Sequence, residues 1–259
     1  MSAIRIRNVR KAFEGKPVLE GIDFDFEPGK VNMIIGASGS GKTVLTKCMV
    51  GLIPPDEGSI YFGDVNFLDS DFRAQRQIRR EIGMLFQSSA LFDSLTVSEN
   101  VSFPLQMFSN WKRPQIKERV EYCLERVNLA GSGQKFPSQL SGGMKKRVGI
   151  ARAIALQPKY LFCDEPNSGL DPLTAAVIDE LIQSITDEFN TTTIVISHDM
   201  KSVLTIGDRI MFLYKGLKAW EGNREQLAST TSKNLLEFIK ASGVHIDNLD
   251  EESAQMADF

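Results

Sequence analysis

Cysteine and histidine are scarce in this chain of 259 residues, with three of the first and two of the second. Cys48, Cys123 and Cys163 are widely separated and form no CxxC pair, and His198 and His245 stand apart, so neither a disulfide framework nor a structural zinc site is expected. No run of about 18 apolar residues is present to cross a bilayer. The opening MSAIRIRNVRKAF lacks the apolar core of a signal peptide, so the expectation is a chain that stays in the cytosol. A formal net charge of -3 supplies no general basic field, which argues against a non-specific DNA or RNA binder; no nucleic-acid partner is expected. Internal repeats and sustained heptads are absent as well.

What is present suits one compact unit with a sizeable core: 42% hydrophobic and 24% charged residues. Ile4, Ile6 and Val9, then Ile22, Phe24 and Phe26, nearly alternate between the turns Gly15-Lys16-Pro17 and Pro28-Gly29, which predicts antiparallel strands. The apolar run 31–35 reads as a strand buried on both faces, followed by a glycine loop and a helix from Val44 to Leu52 that stops before Pro54-Pro55. A further buried strand is expected from Ile82 to Phe86. Ile116, Val120, Leu124 and Val127 then recur at helical spacing, and a second helix starts at Ser141. From Tyr160 the strand and helix alternation returns, with runs at 160–163, 194–196 and 210–213 and a helix that Pro172 opens. The middle is an inserted helical block. Past Lys240 the chain has acids such as Asp247, Asp250 and Glu251 and no Lys or Arg, which reads as a solvated tail over 241–259.

The run Gly36-Ala37-Ser38-Gly39-Ser40-Gly41-Lys42-Thr43 fits G-x-x-x-x-G-K-[ST] between a predicted strand and a predicted helix. Glycines let successive N–H groups and the helix N-terminus face phosphate oxygens; Lys42 adds charge and Thr43 can ligate Mg²⁺. That chemistry binds a nucleoside triphosphate. A second apolar strand ends in Asp164 and Glu165, where open α/β sheets face their nucleotide. Asp164 can hold Mg²⁺, and Glu165 can activate a water for in-line attack on the γ-phosphate.

Leu140-Ser141-Gly142-Gly143-Met144, near a helix start and ahead of the Asp-Glu pair, resembles the signature motif of ABC ATPases. Serine and two glycines at a helix N-terminus form another anion site. The resemblance covers about residues 4–240. It implies a RecA-like P-loop core with a mostly parallel sheet, an N-terminal antiparallel β subdomain and a helical subdomain at about 89–157, together an ATP-binding domain over 1–240. It also implies a head-to-tail dimer in which Ser141, Gly142 and Gly143 of one chain close over nucleotide held by the other, and an integral-membrane permease as partner. Gln87 resembles the Q-loop glutamine that senses Mg²⁺ and water, Ser168-Gly169-Leu170-Asp171 the D-loop, and His198 the switch histidine that contacts the γ-phosphate. Phe13 stands where the family usually has a tyrosine stacking on adenine; it keeps the π-face and loses the hydroxyl.

Within the family, residues 85–105, including Leu85-Phe86-Gln87, Glu99-Asn100-Val101 and Phe103-Pro104-Leu105, resemble the Mla-type lipid transporter ATPases. That implies a phospholipid or related cargo, an inner-membrane setting with the chain peripheral on the cytoplasmic side, and a lipid-binding (MCE-type) subunit. Leu91, Phe92, Leu95 and Val97 are then candidates either for a groove that receives a permease helix or for the subdomain interior. Other transport substrates stay open, as do a soluble non-transport ABC ATPase and a P-loop kinase or GTPase. Specificity would reside in the permease.

Overall fold

The computed structural model describes residues 3–243, so residues 244–259 of the expected acidic tail, and His245, lie outside the described residues. In chain order the elements are β1 (Ile4–Phe13), β2 (Lys16–Phe26), β3 (Val31–Ile35), α1 (Lys42–Met49), β4 (Glu57–Phe62), β5 (Val65–Asn66), α2 (Phe72–Arg80) and β6 (Ile82–Leu85). Next come α3 (Val97–Phe108), α4 (Arg113–Arg126), α5 (Gly142–Ile154), β7 (Tyr160–Asp164), α6 (Pro172–Phe189) and β8 (Thr192–Ser197). The last are α7 (Met200–Ile206), β9 (Arg209–Tyr214), β10 (Leu217–Gly222), α8 (Arg224–Ala228) and α9 (Lys233–Ala241).

Two sheets form. The antiparallel one has the order β2-β1-β4-β5, and the six-stranded one runs β10-β9-β3-β8-β7-β6. Within the second sheet every pairing is parallel except that of β10 with β9. This is the α/β class the sequence predicts. The mostly apolar runs of β3, β7 and β8 follow from burial of both sheet faces. In β3, Val31, Met33 and Ile35 join one core cluster with α3, α5, α6 and α7, while Ile34 joins the other with α1, β1 and β2. Each such side chain contributes roughly 1.5–3 kcal/mol of transfer free energy.

Helices α3, α4 and α5 occupy the stretch between β6 and β7 and share the first of these clusters with the sheet. Thr96 opens α3 with a capping box, its hydroxyl accepting from the Glu99 N–H while Glu99 reaches back to the Thr96 N–H.

Helix α1 is shorter than expected, ending at Met49 instead of Leu52. Gly51 turns left-handed at φ 73°, and a Cβ there would meet the Phe67 ring at 2.6 Å, so the chain leaves the helix well before the prolines. The small element that seats α5 against the sheet is Gly83 in β6, where a Cβ would stand 2.4 Å from the Ala153 carbonyl oxygen. Gly83→Ala should therefore cost about 1–3 kcal/mol by overpacking. A thermal melt reads this as a loss of several degrees; an unchanged midpoint would mean that β6 and α5 separate freely.

Candidate active site

Parallel strands deliver their C-terminal residues to one edge of the sheet, and there β3 turns into the glycine loop. Gly36, Gly39 and Gly41 have φ of 149°, 79° and 105°. At Gly36 a Cβ would lie 2.3 Å from the Leu213 carbonyl, and at Gly41 2.9 Å from the Val18 carbonyl, so close approach of neighbouring backbone fixes glycine at both. Gly41 caps α1 without any side-chain acceptor, which leaves the first N–H groups of that helix facing the loop. Lys42 is buried and donates to the carbonyls of Gly36 at 2.7 Å and Ala37 at 3.0 Å. Burial pulls its pKa down, against the opposing pull of Glu165 and Asp164.

One strand away from β8, β7 ends in Asp164. Its Oδ1 is buried without a hydrogen-bond partner, and burial, then the charge of Glu165, raises its pKa. An anionic oxygen that the protein leaves unpaired fits a divalent cation, and the Thr43 hydroxyl and Gln87 amide are hard oxygen donors of the kind Mg²⁺ takes. Glu165 adopts a left-handed backbone, φ 48°, with its N–H donating to the Ile196 carbonyl at 2.9 Å. Its Oε2 lies 2.8 Å from Nδ1 of His198, which follows β8 and is more exposed than the glutamate.

A cavity of about 630 Å³ spans this edge, a size suited to a nucleotide. Among the expected residues Ala37, Ser38, Gly39, Gly41, Lys42, Thr43, Gln87, Glu165 and His198 line it. Gly36, Ser40 and Asp164 do not; Ser40 and Asp164 are buried, and Ser40 Oγ has no partner. Phe13 is 43% exposed on the hairpin whose other strand contributes Val18 to the wall, with the Lys11 ammonium 5.4 Å from its ring centroid. Ser141 caps α5, its Oγ accepting from the Met144 N–H at 3.3 Å, but Ser141, Gly142 and Gly143 line no part of this cavity. The chain thus does not bring the serine–glycine run 141–143 together with the glycine loop 36–43. Gln87 makes a long 3.5 Å contact from Nε2 to Ser168 Oγ.

Sequence reasoning missed Phe238, Ala241 and Ser242 at the end of α9, which also line the cavity. The apolar face of α9, with Leu235 and Ile239 buried and the Phe238 ring tilted against that of Phe212 at 5.3 Å between centroids, was the available signal. A separate apolar groove of about 290 Å³ is lined by Phe86, Phe92, Phe103 and Pro104 among others. Of the four residues considered for it, only Phe92 contributes; Val97 is fully buried and Leu91 packs on the core.

Comparison with known proteins gives a match of the ABC transporter family profile to residues 19–168. The probable ribonucleotide transport ATP-binding protein mkl of Mycobacterium leprae is 33% identical, over 96% of this chain and 72% of its own length. The intermembrane phospholipid transport system ATP-binding protein MlaF of Haemophilus influenzae is 35% identical, over 92% of this chain and 90% of its own. The solved dimer of the ATP-binding cassette MJ0796 in a post-hydrolysis state, bound to ADP and Pi, superposes with a TM-score of 0.78 at 30% identity, covering 85% of this chain and 98% of that one.

Behind the site Asn167 donates to Asp179 Oδ1 and to Ser202 Oγ, both at 2.8 Å, joining the segment after Glu165 to α6 and α7. Burial pushes the Asp179 carboxyl up to about 6, with the Ser202 and Asn167 hydrogen bonds opposing. The folded state then holds this proton more tightly than the unfolded chain, so the stability it contributes is present below the ordinary carboxylate range and lost as pH rises through about 6. Asp179→Asn removes the ionisation. Between about pH 4 and pH 7 the variant should gain on the order of 2 kcal/mol relative to the parent chain, read by chemical denaturation at both values. A difference independent of pH would assign the proton elsewhere.

Proposed function

The chain belongs to the ABC transporter family as an ATP-hydrolysing subunit, and we propose that two copies of it drive a separate permease that moves phospholipid or a related lipid. One observation carries the hydrolytic part: Glu165 and His198, 2.8 Å apart, border the same cavity as Lys42 and the glycine loop.

The roles follow from charge and position. The N–H groups of residues 36–43 and the N-terminus of α1 hold the β- and γ-phosphates, and Lys42 supplies a desolvated positive charge to them. Thr43, Gln87 and Asp164 would hold Mg²⁺, which would neutralise phosphate charge. Glu165 orients the attacking water and accepts its proton, while His198 donates toward the γ-phosphoryl as its bond to the bridging oxygen breaks. Phe13 offers its exposed face to the adenine. Ser141, Gly142 and Gly143 act on the nucleotide of the second copy; that they line no part of their own chain's cavity supports this. Hydrolysis removes the phosphate that bridges the two chains and lets them part.

Residues 1–240 form the ATP-binding domain, with 89–157 as its helical subdomain. The groove at Phe86, Phe92 and Phe103 supports docking of an apolar permease helix. The chain is peripheral on the cytoplasmic face of the inner membrane; among the described residues no helix is long and apolar enough to cross a bilayer. The lipid reading is supported by the 35% identity with MlaF along 90% of that protein, and an MCE-type subunit would be a further partner under it. A second reading, a different cargo, is favoured by the comparable likeness to mkl.

Glu165→Gln should leave ATP binding intact and lower kcat about 10²–10⁴-fold, the usual worth of a general base. Normal turnover would remove Glu165 from that role. Ser141→Arg should abolish hydrolysis while ATP still binds, as read by nucleotide fluorescence. Affinity purification from detergent-solubilised native membranes tests the cargo: a permease with a lipid-binding subunit and bound phospholipid supports lipid transport, and a permease with a solute-binding protein overturns it.

A further inference from the structure

The Lys145-Lys146-Arg147 run in α5 has the look of a solvated charged face, yet Lys146 is only 4% exposed. Its Nζ donates to the carbonyl of Gln87 at 2.6 Å and to that of Glu165 at 2.9 Å. Both acceptors are main-chain atoms of residues assigned to hydrolysis, reached from a helix that begins at Ser141. We propose that Lys146 is a positioning residue for ATP hydrolysis, an ammonium strut that holds the backbone of Glu165 and Gln87 in working register with the helix carrying Ser141–Gly143. This rests on the reading of Glu165 as the hydrolytic base.

The physical need for such a strut is local. Glu165 is a non-glycine residue at φ 48°, a strained conformation that persists only where its surroundings over-determine it. Its N–H is fixed by Ile196 and its carbonyl takes the Ser168 N–H at 3.2 Å together with the Lys146 ammonium. The charge-assisted bond is the shorter, and it comes from outside the loop. The segment after Gln87 is strained too, with Ser89 at φ 62° and Ala90 at φ 44°. Their carbonyls both accept from Arg152, six residues further along α5, at 2.7 Å. One helix thus clamps two strained loops through two cations, Lys146 buried and Arg152 half-buried. Burial disfavours the charged form of Lys146, and the carboxylates of Asp164 and Glu165 pull the other way. A residue placed at that cost of desolvation for stability alone would serve as well with an apolar chain of equal length.

The test compares the parent chain, Glu165→Gln, Lys146→Met and Lys146→Gln as purified full-length proteins, by steady-state ATP hydrolysis and ATP binding. Methionine keeps the apolar stem and donates nothing; glutamine keeps two N–H donors without the charge. Lys146→Met should lower kcat about ten- to a hundredfold, the effect of a small misplacement of a catalytic group, with the Kd for ATP within about twofold. Lys146→Gln should fall between it and the parent. A folded Lys146→Met with parental kcat, or a kcat loss matched by an equal loss of ATP binding, overturns the proposal. If Lys146→Met does not fold, parental kcat in Lys146→Gln overturns it, and a reduced kcat at unchanged Kd supports it. Should Glu165→Gln hydrolyse ATP like the parent, the base assignment itself fails, which separates that failure from this one.

Discussion

Everything at the site depends on parallel strands paired in register. Ile35 of β3 lies opposite Ser197 of β8, and Ile196 of β8 opposite Asp164 of β7, so three strands end at one level. Their next residues are the first glycine of the loop, His198 and Glu165. A slip of one residue in any of these pairings would exchange the two buried faces and carry Asp164 away from Lys42. Because both faces of the sheet are packed, as the division of β3 between two core clusters shows, such a slip is prohibited by the core before the chemistry has any say.

On that frame the site concentrates charges that burial disfavours. Lys42 and Lys146 are pulled toward neutrality, and Asp164 is pushed toward protonation, each by loss of water and each opposed by a neighbour of opposite sign. The backbone is correspondingly tense: Glu165 stands left-handed and Gly36 presses against the Leu213 carbonyl. Such a site is pre-organised, since its dipoles and cations are already oriented before phosphate arrives. The lysine ammonium groups rest on backbone carbonyls, acceptors that do not titrate.

Much of this was legible in the sequence because the informative signals were short and local. The strands 31–35 and 160–164 announce themselves as apolar runs ending in glycine or acid, and the loop 36–43 carries its spacing within eight residues. Helix α2 was not legible: RAQRQIRR buries only Ile78, so it offers little apolar period. Short β5 and the polar, alternately half-buried β10 gave no strand signal either. The length of α1 was misjudged because Pro54-Pro55 looks like the stop while Gly51, turned left-handed against Phe67, is the real one. Phe238 and Lys146 were missed for a different reason. Their parts are set by what lies opposite them across long stretches of chain, and nothing in an amphipathic helix or a basic triplet says which carbonyl or cavity it will meet.

The separation of Ser141–Gly143 from the cavity of their own chain has a genetic side. If each serine–glycine pair serves the neighbour's nucleotide, a chain altered there keeps its own phosphate loop and base intact and disables the molecule beside it. In a cell that makes both forms, a mixed pair of parent and Ser141-altered chains would lose one composite site and keep the other, and so would a pair of one chain altered at Lys42 and one altered at Ser141. Inheritance would then follow the assembled pair, and the single polypeptide would not be the unit on which selection acts.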